Sequence, residues 1–244
     1  MLILAGCGQS VQPFSTSFGV IQPGSTIVVR ALHGDINVYK PEIGKPRNEF
    51  IIQATGSKGG AALVPPRMRS REKTLFVSSG ADVNALLVRV PSSVALDASS
   101  SAGDVNVTDI TGPVVAHADR GEVKVMVPGY AQASTGPASG NVTVYMGSTN
   151  WPGTLHFSAR QGDVEVWINA TADFHAHMHS DQGTIFTDFG LRGTSQGQSE
   201  TIDGQVSNTT SDDSAAGTPK DGAHGIDIEV HNGSIRLLQL KPQM

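Results

Sequence analysis

Gly103-Asp104-Val105-Asn106-Val107 returns three more times, as Gly121-Glu122-Val123-Lys124-Val125, Gly140-Asn141-Val142-Thr143-Val144 and Gly162-Asp163-Val164-Glu165-Val166. Each copy is a glycine followed by polar, apolar, polar and apolar residues, the period of two of a strand with one face buried and one wet. The spacings of 18, 19 and 22 residues suit one turn of a solenoid better than a simple hairpin meander. Gly34-Asp35-Ile36-Asn37-Val38 is a full copy upstream. Gly183-Thr184-Ile185-Phe186-Thr187 and Gly204-Gln205-Val206-Ser207-Asn208 are partial ones, and Gly233-Ser234-Ile235-Arg236-Leu237 restores the pattern near the end.

A second register precedes the glycines. Ile27, Leu96, Val114, Ala133, Leu155, Ala176 and Ile226 stand seven positions before them, and Val29, Ala98, Ala116, Thr135, Phe157, Met178 and Ile228 stand five before; only the copy at Gly204 lacks this strand. The unit is therefore strand, tight polar turn ending in glycine, strand, and a variable return. Glycine at that corner suits a backbone that needs positive φ or a close approach between turns. The pattern predicts an all-β chain built as a single-stranded parallel β-helix, a β-solenoid whose equivalent positions stack at about 4.8 Å. A β-sandwich is the alternative, since period-two strands joined by tight turns write a similar sequence. Apolar spacing of three and four is absent wherever the strand pattern is clear, so no ordinary helix is expected.

Outward from the repeats, residues 94–244 read as regular coils with a disordered insertion at 208–222, whose composition buries too little apolar surface to order itself. Residues 18–93 read as irregular β coils, with strands at Ser25–Ala31, Gly34–Tyr39, Asn48–Thr55, Lys73–Ser78 and Asn84–Val90 and a loop or broken strand pair from Gly56 to Glu72. Gly225 to Leu240 is expected to close the stack, and residues 1–17 form a leader remnant and tether.

The 38% hydrophobic and 5% aromatic content of the 244 residues is low for a thick core but adequate for a thin solenoid interior. Net charge is −5, and no basic cluster interleaved with aromatics recurs on one face, which argues against a nucleic-acid partner. The most basic place, Arg67-Met68-Arg69-Ser70-Arg71, reads as a solvated loop, with an anion-binding patch as the lesser alternative.

The one cysteine closes Leu4-Ala5-Gly6-Cys7, which resembles the bacterial lipobox. Small residues before Cys7 would leave a cleavage point open to the signal peptidase, and the thiol would carry the lipid. A full signal has a basic start and an apolar stretch of about 7 to 15 residues. Only six residues precede Cys7 and none is basic, so the segment reads as the tail of a signal that starts upstream; a free thiol in an apolar N-terminus is the alternative. Lipidation at Cys7 would anchor the chain at the cell envelope without spanning the membrane. With Gly8 after the cysteine, resemblance to lipoprotein sorting implies the outer membrane of a double-membraned bacterium. A secreted or periplasmic chain is the other placement.

Val88-Arg89-Val90-Pro91 followed by Ser101-Ala102-Gly103-Asp104-Val105-Asn106-Val107, and again Ala159-Arg160-Gln161-Gly162-Asp163-Val164-Glu165-Val166, resembles the bacterial "putative adhesin" domain family of uncharacterised function. That family pairs a V-x-V-P strand with repeated S-x-G-D-V-x-V units. The resemblance spans about residues 25 to 240. It implies a right-handed single-stranded β-helix, secretion or lipid anchoring, and surface attachment, and it supplies no catalytic residues.

The residues offer several sites. His175, His177 and His179 alternate on one strand and share its wet face. His156 stands six before Gly162 as His177 stands six before Gly183, so stacked coils would set them side by side as candidates for Zn, Cu or Ni. Asp35, Asp104, Glu122 and Asp163, with Asn141 among them, follow the glycines and would form an acidic ladder able to hold Ca. Unneutralised, such carboxylates would repel one another. Trp151 and Trp167 are a candidate ligand patch for a glycan. No nucleophile elbow or phosphate loop occurs, so no catalytic residue and no cofactor is assigned. The expectation is a non-enzymatic scaffold or adhesion domain of the cell envelope, with an unidentified protein or glycan as partner. A carbohydrate-active β-helix enzyme, lyase- or hydrolase-like, and an envelope assembly or stress factor are the alternatives.

Overall fold

A computed structural model describes residues 14–41, 48–56, 63–207 and 224–240. Cys7 and the segment 208–222 lie outside the described residues. The front of the chain forms β1 (Phe14–Val20), β2 (Thr26–Ala31), β3 (Asp35–Tyr39), β4 (Glu49–Gly56), β5 (Arg67–Arg71), β6 (Thr74–Ser79) and β7 (Val83–Arg89). The repeats supply β8 (Ala95–Ser100), β9 (Val105–Thr108), β10 (Val114–Ala118), β11 (Val123–Val127), β12 (Ala131–Thr135), β13 (Val142–Met146), β14 (Thr154–Gln161) and β15 (Val164–Asn169). The last part adds β16 (Phe174–Gln182), β17 (Ile185–Thr187), β18 (Gly193–Gln196), β19 (Ser199–Val206), β20 (Gly225–Asn232) and β21 (Ile235–Leu240).

The described chain is all-β, without a helix, and forms two large mixed sheets. The first has ten strands in the order β1-β4-β7-β3-β9-β11-β13-β15-β21-β17. The second has eleven, β18-β19-β16-β20-β14-β12-β10-β8-β2-β6-β5. From β8 to β15 the chain alternates between sheets strand by strand, and each strand from β8 to β13 pairs in parallel with the one two further on, as β11 does with β13 through Val123 and Val142. Antiparallel pairs sit towards the ends: β1 with β4, β4 with β7, β5 with β6, and β19 with β16 and β18.

The period-two pattern explains the core. Ile36, Val105, Val123, Val142, Val164 and Ile235 stand in register in the first sheet, all buried, and Val38, Val107, Val125, Val144, Val166 and Leu237 form a second buried row. Facing them in the second sheet are Ala98, Ala116 and Ala133, giving way to Phe157, Ile228 and Met178. Each buried Val contributes about 1.5 kcal/mol or more.

The corner glycines answer both reasons for glycine. Gly103 and Gly162 have φ of 147° and 141°. A Cβ on Gly103 would lie 2.3 Å from the carbonyl oxygen of Gly34, and one on Gly162 would lie 2.3 Å from that of Gly140. The corners are stacked backbone on backbone.

Four expectations need correction. Gly225 to Leu240 does not close the stack: β20 lies between β14 and β16, and β21 between β15 and β17. This copy, with Ile226, Ile228, Val230, Ile235 and Leu237 all buried, takes the slot covered on both sides, while the poorer copy after Gly183, which sets Thr187 where Leu237 stands in its neighbour, takes the edge. Gly204 is no corner but sits inside antiparallel β19 opposite Ala176. In the Gly140 copy Val114 pairs with Ala131, and not with Ala133. The corner there is two residues longer, and a shift of two leaves every side chain on its face. Phe14 to Ser17, expected in the tether, belong to strand β1.

Candidate functional site

The outer face of the second sheet, around β16, gathers most of the histidines. Phe174, Ala176, Met178 and Ser180 of β16 point into the core, which turns His175, His177, His179 and Asp181 outward. Insertion of β20 beside them adds Asp227, Glu229 and His231. The registers create a row across four neighbouring strands: Asp203 of β19, His177 of β16, Asp227 of β20 and His156 of β14. His156 and His177 are therefore not adjacent, because Asp227 stands between them.

Imidazole and carboxylate alternate in this row. His177 Nδ1 lies 3.2 Å from Asp203 Oδ2, His175 Nε2 lies 2.9 Å from Asp203 Oδ1, and His156 Nδ1 lies 3.2 Å from Asp227 Oδ2. Nearby, Asp181 accepts from His179 Nε2 at 2.9 Å and from His231 Nδ1 at 2.6 Å. These bonds, that from His231 first, hold the Asp181 carboxyl below its ordinary range. A shallow cleft of about 330 Å³ lies here, lined by Ser158, Arg160, His179, Asp181, Glu229 and His231 among others.

Two places repeat one arrangement. In His117-Ala118-Asp119, His117 Nε2 is 3.0 Å from Asp119 Oδ1 and Nδ1 is 2.8 Å from Ser134 Oγ. In His179-Ser180-Asp181 the hydroxyl partner is Thr201 Oγ1, 2.8 Å from Nδ1. The bond from His117 also lowers the Asp119 pKa. The connectivity is that of a hydroxyl–imidazole–carboxylate triad, but Ser134 lies mid-strand in β12, paired in parallel on both sides. Its neighbouring backbone N–H groups belong to the sheet ladder, so none is free to stabilise an oxyanion. Among the described residues no three His, Cys, Asp or Glu side chains are disposed to hold a metal ion.

The acidic ladder exists and has a structural use. Asp35 Oδ1 accepts the backbone N–H of Asp104 at 2.9 Å, and Asp104 Oδ1 that of Glu122 at 2.8 Å. Asn141 Oδ1 accepts from the N–H of Asp163 at 2.9 Å, and Asp163 Oδ1 from that of Ser234 at 2.7 Å. Glu122, one methylene longer, instead accepts from Asn141 Nδ2 at 3.4 Å. The short acidic residues at these corners thus bind the next corner's backbone, which relieves the repulsion expected of stacked carboxylates.

Trp151 and Trp167 do not share a patch. Trp151 is 2% exposed, packs on Phe174 and His224, and donates from Nε1 to the Gly225 carbonyl at 3.1 Å. Trp167, on the first sheet, stacks on Tyr145 with centroids 5.9 Å apart and donates to Glu165 Oε1 at 2.7 Å. Arg67 to Arg71 is not a loop but strand β5, at the edge of the second sheet.

Sequence reading found the imidazoles but missed their partners. Asp119 and Asp181 carried a signal, since a residue two after a strand histidine shares its face. His231 stands two before Gly233 as Asp181 stands two before Gly183, which was also readable. Asp227, six before Gly233 as His156 is six before Gly162, carried the same register signal, but its place between His156 and His177 follows from the insertion of β20. Asp203 gave none, because it arrives on the antiparallel return of β19.

The fold and this face define a class, an all-β chain of two mixed sheets whose outer surface carries polar ladders. Among solved structures it is similar to one described as a putative cell adhesion protein from Clostridium sporogenes, with 10% identity, a TM-score of 0.48, and coverage of 93% of this chain and 100% of that chain. It is also similar to one described as a putative adhesin from Bacteroides fragilis, with 12% identity, a TM-score of 0.39, and coverage of 95% and 99%. No protein family and no curated protein matches the chain.

Proposed function

We propose that the protein is a non-enzymatic β-solenoid of the cell envelope, a scaffold whose outer second-sheet face, around β16, binds an extended partner. One observation carries the reading: Asp203, His177, Asp227 and His156 form an alternating row on four adjacent strands. Such a row presents repeated donors and acceptors at about 4.8 Å spacing. It suits a polymer or a protein surface lying across the strands better than a small substrate held in a deep pocket. The solenoid reading is supported by parallel pairing between successive repeats and by corners stacked glycine on glycine. The envelope placement rests on Leu4-Ala5-Gly6-Cys7.

The test is co-sedimentation of the full chain with isolated envelope polysaccharides and immobilised surface proteins, beside a His156→Ala/His177→Ala double variant. The reading expects saturable binding that the double variant loses, with the ligand left intact. Appearance of new reducing ends, or labelling of Ser134 by a fluorophosphonate, would move the protein to the carbohydrate-active or hydrolytic alternative.

A further inference from the structure

The opposite end of the second sheet carries a different chemistry. Among the described residues edge strand β5 pairs with β6 alone, setting Arg67 opposite Ser78, Arg69 opposite Phe76 and Arg71 opposite Thr74. Alternate residues of a strand share a face, so the three arginines stand in a line about 7 Å apart. Phe76 lies beside them, 43% exposed, and β2 adds Val28 and Arg30. Together they line a cleft of about 560 Å³.

The charges in this cleft are not equivalent. Arg30 donates to Asp97, with Nη1 2.9 Å from Oδ1 and Nη2 on Oδ2, so its charge is matched. Arg67, Arg69 and Arg71 make no ion pair among the described residues. Glu72 follows them in the turn, but Lys73 stands next to it. The result is a local positive line on a chain of net charge −5.

Charge on an edge strand deters pairing with another sheet. That accounts for charge on β5, but not for an exposed phenyl ring in the next strand, flanked by guanidinium groups. Arginine presents a planar fork that meets a carboxylate with two hydrogen bonds. An aromatic face offers a flat apolar surface to the C–H side of a sugar ring. We propose that Arg67, Arg69 and Arg71, with Phe76, form a binding site for an acidic polysaccharide, uronate carboxylates meeting the guanidinium groups and one sugar ring lying on Phe76. Charges in a line favour an anion that repeats along a chain over a single small one. The site is separate from the histidine face and does not depend on its role.

The test is calorimetric titration of the full chain with oligogalacturonate, with dextran as neutral control and phosphatidylglycerol vesicles as a competing anionic surface. Each variant is first checked for an unchanged circular dichroism melt. Binding should be saturable, weaken about tenfold in Arg69→Gln, and fall further in the Arg67→Gln/Arg71→Gln double variant. Phe76→Ala should weaken it several-fold, Arg69→Lys should lie between wild type and Arg69→Gln, and Lys124→Gln on the other sheet should leave it unchanged. No binding, equal binding by the arginine variants, or insensitivity to Phe76→Ala would overturn the proposal. So would binding to the vesicles without binding to oligogalacturonate.

Discussion

If stacked corners hold the repeats together, three glycine-to-alanine replacements should separate the two demands placed on a corner. Gly162 has φ of 141°, and a Cβ there would lie 2.3 Å from the Gly140 carbonyl oxygen and 2.8 Å from its carbon. Backbone is the obstacle, so no side-chain rotation relieves it. Gly153 has φ of 67° but open space around the added carbon, and Gly147 has neither a positive φ nor a neighbour within 4 Å. Gly147→Ala should leave stability unchanged or raise it by up to about 1 kcal/mol, through lower entropy of the unfolded chain. Gly153→Ala should cost about 1–2 kcal/mol for the left-handed backbone alone. Gly162→Ala adds to that an overpacking cost of about 1–3 kcal/mol, and so loses about 2–5 kcal/mol. In a chain of this size that lowers the melting midpoint by roughly 5–15 °C. Urea unfolding followed by far-ultraviolet circular dichroism reads the order. If Gly162→Ala fell within 0.5 kcal/mol of Gly153→Ala, the close approach between corners would carry no energetic weight and the stacking argument would fail.

Three further outcomes follow from the same contacts. Trp151→Phe removes the N–H that meets the Gly225 carbonyl at the start of inserted β20; it should cost about 1–3 kcal/mol, and Trp151→Ala about 3–5 kcal/mol, and limited proteolysis should then cut β20 before β12. Hydrogen bonds to His231 and His179 lower the Asp181 pKa, so its folded value lies below the unfolded one. The stability it adds is present above about pH 4 and is lost as pH falls through the folded value. Asp181→Asn should therefore flatten the loss of urea stability between neutral and strongly acidic pH, and an unaltered slope would refute the pairing. Expressed in a bacterium behind an added basic and apolar signal segment, Leu4-Ala5-Gly6-Cys7 should direct uptake of labelled palmitate, and Cys7→Ser should abolish both the label and membrane sedimentation; a labelled Cys7→Ser chain would dismiss the lipobox.

Much of the fold was legible because it depends on local rules. Period two told which residues face inward, and Val105, Val123, Val142 and Val164 are buried as it required. Glycine followed by a polar residue, such as Asp35, Asp104 or Asp163, told where the chain turns. What repetition does not encode is which copies are neighbours. The copies at Gly34 and Gly103 touch although 69 residues separate them, and the Gly233 copy lies between those at Gly162 and Gly183. Only the apolar content of a copy hinted at its slot, since a copy rich in Ile and Leu gains more where it is covered on both sides. The histidine face suffered for the same reason. His175, His177 and His179 were read from one strand, but Asp203 and Asp227 arrive from β19 and β20, whose places depend on pairing order.

The division of labour within each repeat explains how such different chemistries share one sheet. Stacking is secured by the inward Val or Ile rows and by corner side chains such as Asp104 and Asp163, which hold the next backbone. Outward residues on the strands add only exposed pairs such as Arg30 with Asp97 and His231 with Asp181, a smaller share of that task. Replacing one changes a surface and not the register, because register is pinned from inside and at the corner. Outward positions in the second sheet thus read Arg69, Phe76 and Val28 at one end and His156, Asp227, His177 and Asp203 towards the other, on the same pleat. A Gly162→Ala change and a His156→Ala change should therefore act on different properties, the first on stability and the second on binding, and a His156→Ala chain that melted like Gly162→Ala would contradict the separation.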